Sequence, residues 1–257
     1  VLMIVNLDSG TGKAVLDKAK AAGIATIDYD RLTLNGGANY YVSFDNVEVG
    51  KLQGQGLVDC LGSKKGAQIA ELNGSPTDNN ATLFKNGYDS VLKPKFDDGS
   101  FVKGPDQDVP DWDNAQAGTI FEQMLTENKE IKGVLAANDG LGNAAISVLK
   151  KNKLNGQVPV TGQDATADGL QAILRGDQYM TVYKPIKQEA DAAGQVERYV
   201  PVRILAQARR QNAPRRPTSE NGVVERAGDR HCPVCSRMSD EARSRALGLS
   251  INRGFGR

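Results

Sequence analysis

Between residues 1 and 193, short apolar runs alternate with amphipathic stretches, and that rhythm constrains the fold more than any single motif. Strand-like runs read at 1–7, 24–29, 39–44, 67–72, 100–104, 132–137, 157–162 and 178–183. Stretches such as GKAVLDKAKAAG, VGKLQGQGLVDCL and NAQAGTIFEQMLTEN separate them at helical spacing. Strand, helix, strand at this interval implies right-handed βαβ units and a mostly parallel sheet, so the expected fold class is α/β. Two helix starts are marked chemically. Ser75 with Asp78 three residues on, and Pro76 between, reads as a capping box; Pro185 opens a helix after VYK.

Six of these runs stop at a cluster of hydrogen-bonding side chains: IATIDYDR (24–31), YYVSFDN (40–46), IAELNGSPTDNN (69–80), GVLAANDG (133–140), VPVTGQD (158–164) and YMTVYKP (179–185). Parallel strands bring their carboxyl ends to one edge, so repeating this pattern around a sheet builds a polar crevice there.

At 257 residues and 39% hydrophobic content the chain buries a real core in one or two domains. No run of eighteen apolar residues occurs. The near-neutral net charge conceals two compositional regimes. All 17 lysines lie between Lys13 and Lys187, whereas 13 of the 15 arginines follow residue 197. Set against six acids, those arginines give residues 194–257 a charge of +7 and leave −6 for residues 1–193. The abrupt exchange of Lys for Arg, without periodicity, fits a shifted reading frame better than a natural basic tail, so 194–257 is expected to be aberrant or disordered. Val1 begins inside an apolar run with neither initiator Met nor charged leader, as expected of a fragment or mature segment.

The segments YDR (29–31), YYVSFDN (40–46), NGSPTDNNATLFKNG (73–87), AAND (136–139), GQDATADG (162–169) and MTVYKP (180–185), in this order and spacing, strongly resemble the periplasmic xylose-binding proteins of bacterial sugar ABC transporters. The likeness runs over essentially all of 1–193. It implies a type I periplasmic-binding-protein fold: two Rossmann-like lobes with parallel sheets, joined by crossing strands, with the sugar held between them. The crossings would fall just after Asp45 and near Lys184. Residues 1–45 would then be a partial N-terminal lobe with 185–193 returning to it, and 46–184 the C-terminal lobe. Two βα units of the first lobe would be missing.

A monosaccharide site needs carboxylates to accept, Arg or Lys to donate, and amides that do both. The strand ends supply Asp30, Asp78 and Asp164, then Arg31 and Lys184, then Asn80 and Asn138. Trp112, the one Trp, offers a flat face for the C–H side of a pyranose. The resemblance carries the ligand role onto these eight positions. Each also has a plainer reading. Asp78, Asp164 and Asn138 suit helix caps, Asp30 and Arg31 a solvated pair, Trp112 simple packing, and Lys184 an extended residue before proline.

Other patterns are weaker. LDSGTGKA lacks both the first Gly and the Ser/Thr of a phosphate loop. Gly140, Gly142 and Ala145 fit G-x-G-x-x-A, with Asp164 at a suitable distance, but Asp139 would set a carboxylate against a pyrophosphate. His231, Cys232 and Cys235 give at most three metal ligands, and Cys60 reads as a buried small residue in a segment with no disulfide. The only histidine, His231, lies outside 1–193, which excludes His-based acid–base chemistry there.

The expectation is therefore a non-enzymatic, periplasmic, monomeric solute-binding protein. It takes a monosaccharide, D-xylose or a related aldose, and passes it to an ABC permease in the inner membrane, with no cofactor, metal or nucleic acid. Two rivals stand beside it: the effector-sensing domain of a sugar-responsive transcription regulator, and a nucleotide-dependent enzyme built on 140–145.

Overall fold

The computed structural model describes residues 1–206 and 222–225. Its architecture is α/β with two parallel sheets. The first comprises β1 (Leu2–Ile4), β2 (Thr26–Tyr29) and β3 (Tyr40–Val42), in that spatial order and all parallel. Helix α1 (Lys13–Ala21) makes the crossover from β1 to β2 and buries Leu16 and Ala19. The chain between β2 and β3 is held by side chains. The fully buried Asp28 carboxylate accepts from the Thr33 N–H at 2.8 Å and the Thr33 hydroxyl at 3.0 Å. Asn39 exchanges bonds with the Thr26 backbone and hydroxyl.

The second sheet is built on β4 (Ala67–Asn73), β5 (Phe101–Asp108) and β6 (Ile131–Ala136), parallel and in the order β5-β4-β6. Residues 158–164 extend it. The Val134 N–H donates to the Pro159 carbonyl and the Thr161 N–H to Val134; beyond them β7 (Met180–Tyr183) bonds to Gly162 and Asp164. β8 (Gly222–Glu225) pairs with β7 antiparallel. The chain leaves β4 for one neighbour and returns on the other side for β6, so the strand order reverses at β4. In open α/β sheets that reversal point opens the binding crevice.

Helices cover both faces. α2 (Asn46–Leu61) and α3 (Asn79–Asp97) pack one face through Val49, Leu57, Leu61, Phe84, Tyr88 and Leu92. α4 (Asn114–Glu127), α5 (Asp139–Lys151) and α6 (Ala167–Arg175) bury Phe121, Met124, Leu141, Leu149 and Ala172 on the other. α7 (Ile186–Ala206) returns to the first sheet, where Ala193 packs with Ile27 and Val42.

The structure departs from the sequence expectations at several points. The run 157–162 forms bridges rather than a continuous strand, because Pro159 has no N–H for a ladder. Ser75 does not cap a helix: 75–78 is a turn, closed by the Asp78 N–H to the Ser75 carbonyl, and α3 starts at Asn79 with Asp78 as its N-cap. Of residues 194–257, expected to be aberrant or disordered, the structure describes only the end of α7, to Ala206, and β8, which leaves that expectation open; the rest, including His231, Cys232 and Cys235, lies outside the described residues. Cys60 is buried in α2 as expected, but it is disulfide-bonded.

α2 and α3 approach closely at Gly50 and Gly87. A Cβ on Gly50 would overlap the Phe84 carbonyl oxygen, and one on Gly87 the Val47 carbonyl oxygen. Backbone on both sides leaves nothing flexible to yield, so Gly50→Ala must push the helices apart. It is expected to destabilise the fold by about 2–3 kcal/mol, measured as a lowered midpoint in urea unfolding; an unchanged midpoint would refute this packing.

Candidate functional site

The carboxyl ends of both sheets face one cavity of about 440 Å³, within the range of small-molecule sites. All eight residues singled out in the sequence line it. Asp30 and Arg31 follow β2, Asp78 and Asn80 follow β4, and Trp112 ends a 3₁₀ turn (Pro110–Trp112) after β5. Asn138 follows β6, Asp164 ends the 158–164 segment, and Lys184 follows β7.

Ion pairs knit the lining together. Arg31 Nη2 lies 3.3 Å from Asp78 Oδ2, linking the end of the first sheet to the start of α3. The same oxygen accepts the Trp112 indole N–H at 3.1 Å, while Oδ1 caps α3 through the Asn80 N–H at 2.9 Å. Asp78 is thus a cap and part of the lining at once, and its oxygens are engaged within the protein. Asn80 donates to the Asp30 carbonyl at 3.1 Å and accepts from Asn46 at 2.9 Å. Lys184 Nζ stands 2.9 Å from Asp164 and over the rings of Phe44 and Phe84. Asn138 caps α5 through the Leu141 N–H; Asp164 caps no helix, since Thr166 serves α6.

Trp112 lies on Gly74, where any Cβ would overlap the indole, and meets Phe84 edge to face with centroids 6.4 Å apart. Its turn is strained. Seven non-glycine residues among those described have positive φ, and four of them, Asp30, Asp111, Trp112 and Asp164, line this cavity. Such conformations cost about 1–3 kcal/mol each and persist where the surroundings over-determine them, commonly at functional sites.

Sequence reasoning missed Gln163. It lines the cavity, is 2% exposed, and its Oε1 has no partner. In an extended chain Gln163 and Asp164 would face opposite ways; the φ of 95° at Asp164 breaks that alternation, and no local sequence signal announces it. Ser75, Phe84, Asp111 and Leu7 complete the wall. Beneath it, the fully buried Asp139 accepts from the Thr166 N–H and hydroxyl and from Gln178 Nε2, fixing the 162–166 loop. Burial raises the Asp139 pKa, and these donors oppose the shift.

The dinucleotide pattern fails on geometry. Gly140, Gly142 and Ala145 sit inside α5 rather than in a phosphate-cradling loop, and a Cβ on Gly140 would press on the Asn114 side chain. No cluster of three His, Cys, Asp or Glu residues suited to a metal ion occurs among the described residues. None of the described helices is long and apolar enough to cross a membrane.

A model of the periplasmic binding protein domain matches residues 1–197. The D-xylose-binding periplasmic protein of Escherichia coli K12 is 39% identical over 197 residues, covering 76% of this chain and 59% of that protein. The multiple sugar-binding periplasmic protein SbpA of Azospirillum brasilense is 39% identical over 208 residues, 74% of this chain and 58% of that protein. The chain thus spans under three fifths of the length of these curated relatives. Among solved structures, a carbohydrate transporter solute-binding protein from Chloroflexus aurantiacus in complex with D-glucose superposes with a TM-score of 0.76 at 30% identity, over 87% of this chain and 75% of that one.

One acid beside the cavity has unusual protonation. Glu189, on α7 and 6% exposed, is pushed up to about 7, chiefly by burial and then by the Asp30 charge, against the pull of Lys184. Asp30 is raised too, first by burial, with Lys184 and Arg31 opposing. A raised carboxylate favours the folded state while it holds its proton. The folded form binds more protons between the unfolded value and about 7, so stability falls as pH rises through that window. The carboxylates with lowered pKa, Asp98, Asp106 and Asp177, titrate below it. Urea unfolding should show a loss on the order of 2 kcal/mol between pH 5 and pH 8. Glu189→Gln should make that slope shallower, with the raised Asp30, Glu71 and Asp139 keeping the remainder, and an equal slope in both proteins would exclude Glu189 as a source.

Proposed function

Because this chain belongs to the periplasmic binding protein domain family, we propose that it is the solute-binding component of a sugar ABC transporter, holding a neutral monosaccharide in the cavity between its two sheets. One observation carries the reading. Three acceptor carboxylates, two cations, two amides and an indole, scattered from residue 30 to residue 184, converge on one cavity. A ligand dense in hydroxyls is both donor and acceptor at each of them, and that mixture of partners matches it.

Within this site, Asp164 and Lys184 on one side and Asp30 and Arg31 on the other offer charge-assisted hydrogen bonds to hydroxyls. Asn138 and Gln163 add amide partners, and the indole covers an apolar sugar face. The lining comes from both lobes, so a bound sugar favours the closed arrangement by its differential affinity for it. The closed form is the one presented to the inner-membrane permease, from the periplasm. D-xylose is the proposed sugar, supported by the 39% identity to a D-xylose-binding relative; the equally similar multiple sugar-binding relative keeps other aldoses in the test.

Isothermal titration of the full chain against D-xylose, other pentoses and a hexose panel tests the proposal. D-xylose should give saturable heat. Asp164→Ala should weaken binding at least tenfold, since a charge-assisted hydrogen bond contributes about 1.5–3 kcal/mol. A folded sample that releases no heat with any sugar overturns the function; a hexose preference overturns only the choice of sugar.

A further inference from the structure

Ser9 does not line the cavity, yet it joins the two lobes beside it. It lies in the turn after β1 and is 1% exposed. Its carbonyl accepts the Leu34 N–H at 2.8 Å, anchoring it in its own lobe. Its N–H donates to the Thr77 carbonyl at 2.9 Å, and its Oγ accepts the Asn79 N–H at 3.0 Å, both in the other lobe.

Asn79 opens α3, and an N–H in a first helical turn has no partner within its own helix. Asp78 meets the Asn80 N–H with its carboxylate and the Ala81 N–H with its carbonyl, whereas the Asn79 N–H is met by Ser9. The linkage continues. The Thr77 hydroxyl meets Ser75 Oγ at 3.0 Å, and Ser75 Oγ accepts the Asp111 N–H at 3.1 Å, in the positive-φ turn that carries Trp112. A chain of hydrogen bonds thus runs from Ser9, outside the cavity, through Thr77 to Ser75 and Asp111 in its wall.

We propose that Ser9 is a positioning residue for ligand binding: through the Asn79 N–H it latches the first lobe onto the start of α3, where the neighbouring Asp78 accepts the Trp112 indole N–H, and so holds the indole in place. The proposal rests on the reading of the cavity as a sugar cleft. It adds that part of the closed arrangement is held before any sugar arrives, so the affinity includes residues the sugar never touches. Alanine at position 9 keeps the bond to Thr77 but strips the acceptor from the Asn79 N–H. Threonine keeps the hydroxyl.

Trp112 is the only Trp in the chain, so its fluorescence reports on this wall alone. In the sugar-free full chain, Ser9→Ala should raise acrylamide quenching of Trp112, and Ser9→Thr should restore the wild-type value. With D-xylose, Ser9→Ala should weaken affinity about three- to tenfold, mainly through faster dissociation. Asn79→Pro removes the donor from the other side. Proline is tolerated at the first helical position, and Asp78 is already extended at φ −99° and ψ 115°. This variant should reproduce the effect of Ser9→Ala, and the double variant should add nothing further; it also carries the test if Ser9→Ala fails to fold. Wild-type quenching and wild-type affinity in both single variants would overturn the latch. If the wild-type chain binds no sugar, the sugar reading fails separately, and the sugar-free quenching comparison decides the latch by itself.

Discussion

The carboxylate of Asp78 is where the ends of two sheets, a helix start and an indole meet. It is almost fully buried, and a buried charge is tolerated only when paired and hydrogen-bonded. Arg31 supplies the countercharge, while Trp112 and the Asn80 N–H supply donors. Each partner comes from a different element, so satisfying one carboxylate aligns the end of the first sheet, the turn after β5 and the first turn of α3. Removing the carboxylate would leave the guanidinium with Asp30 at 4.0 Å and the Leu7 carbonyl at 3.2 Å, and an indole N–H without its acceptor.

That junction is available because both sheets are parallel. Every strand ends at the same edge, and the reversal of strand order at β4 parts the following helices there. The strain collected at this edge is consistent with it. Asp and Asn tolerate left-handed backbone, but Trp does not adopt it readily, so the positive φ of Trp112 must be held by its neighbours. Gly74 beneath the ring, Phe84 at its edge and Ser75 on the preceding N–H hold it. The same edge has an uneven proton balance: burial raises Asp30 and Glu189, the Asp30 charge adds to the rise at Glu189, and Lys184 and Arg31 limit the rise at Asp30.

Much of this was readable from the chain. The alternation of apolar runs and amphipathic stretches led to the strands and helices of both sheets, and the polar residues closing the runs led to eight positions that line one cavity. What escaped was set by contacts across the fold. Pro159 interrupts a ladder whose other members are well formed. The Ser75 cap gave way to Asp78 because Ser75 is taken by Thr77 and Asp111. Gln163 joined the lining through a single backbone angle at its neighbour. The pairing of β8 with β7 lies in a stretch whose composition carried no strand signal.

Periodicity and residue chemistry along the chain therefore determined the α/β class, the parallel strands and the kinds of polar group at their ends, because those properties depend on neighbours a few residues apart. Only the tertiary structure decided which group each one faces: Arg31 with Asp78, Lys184 with Asp164, Ser9 with Asn79. Two of these pairs join residues 47 and 70 positions apart, and the third joins the ends of two different strand segments. Distances between such groups follow from how sheets and helices pack, and no local pattern in the sequence encodes them.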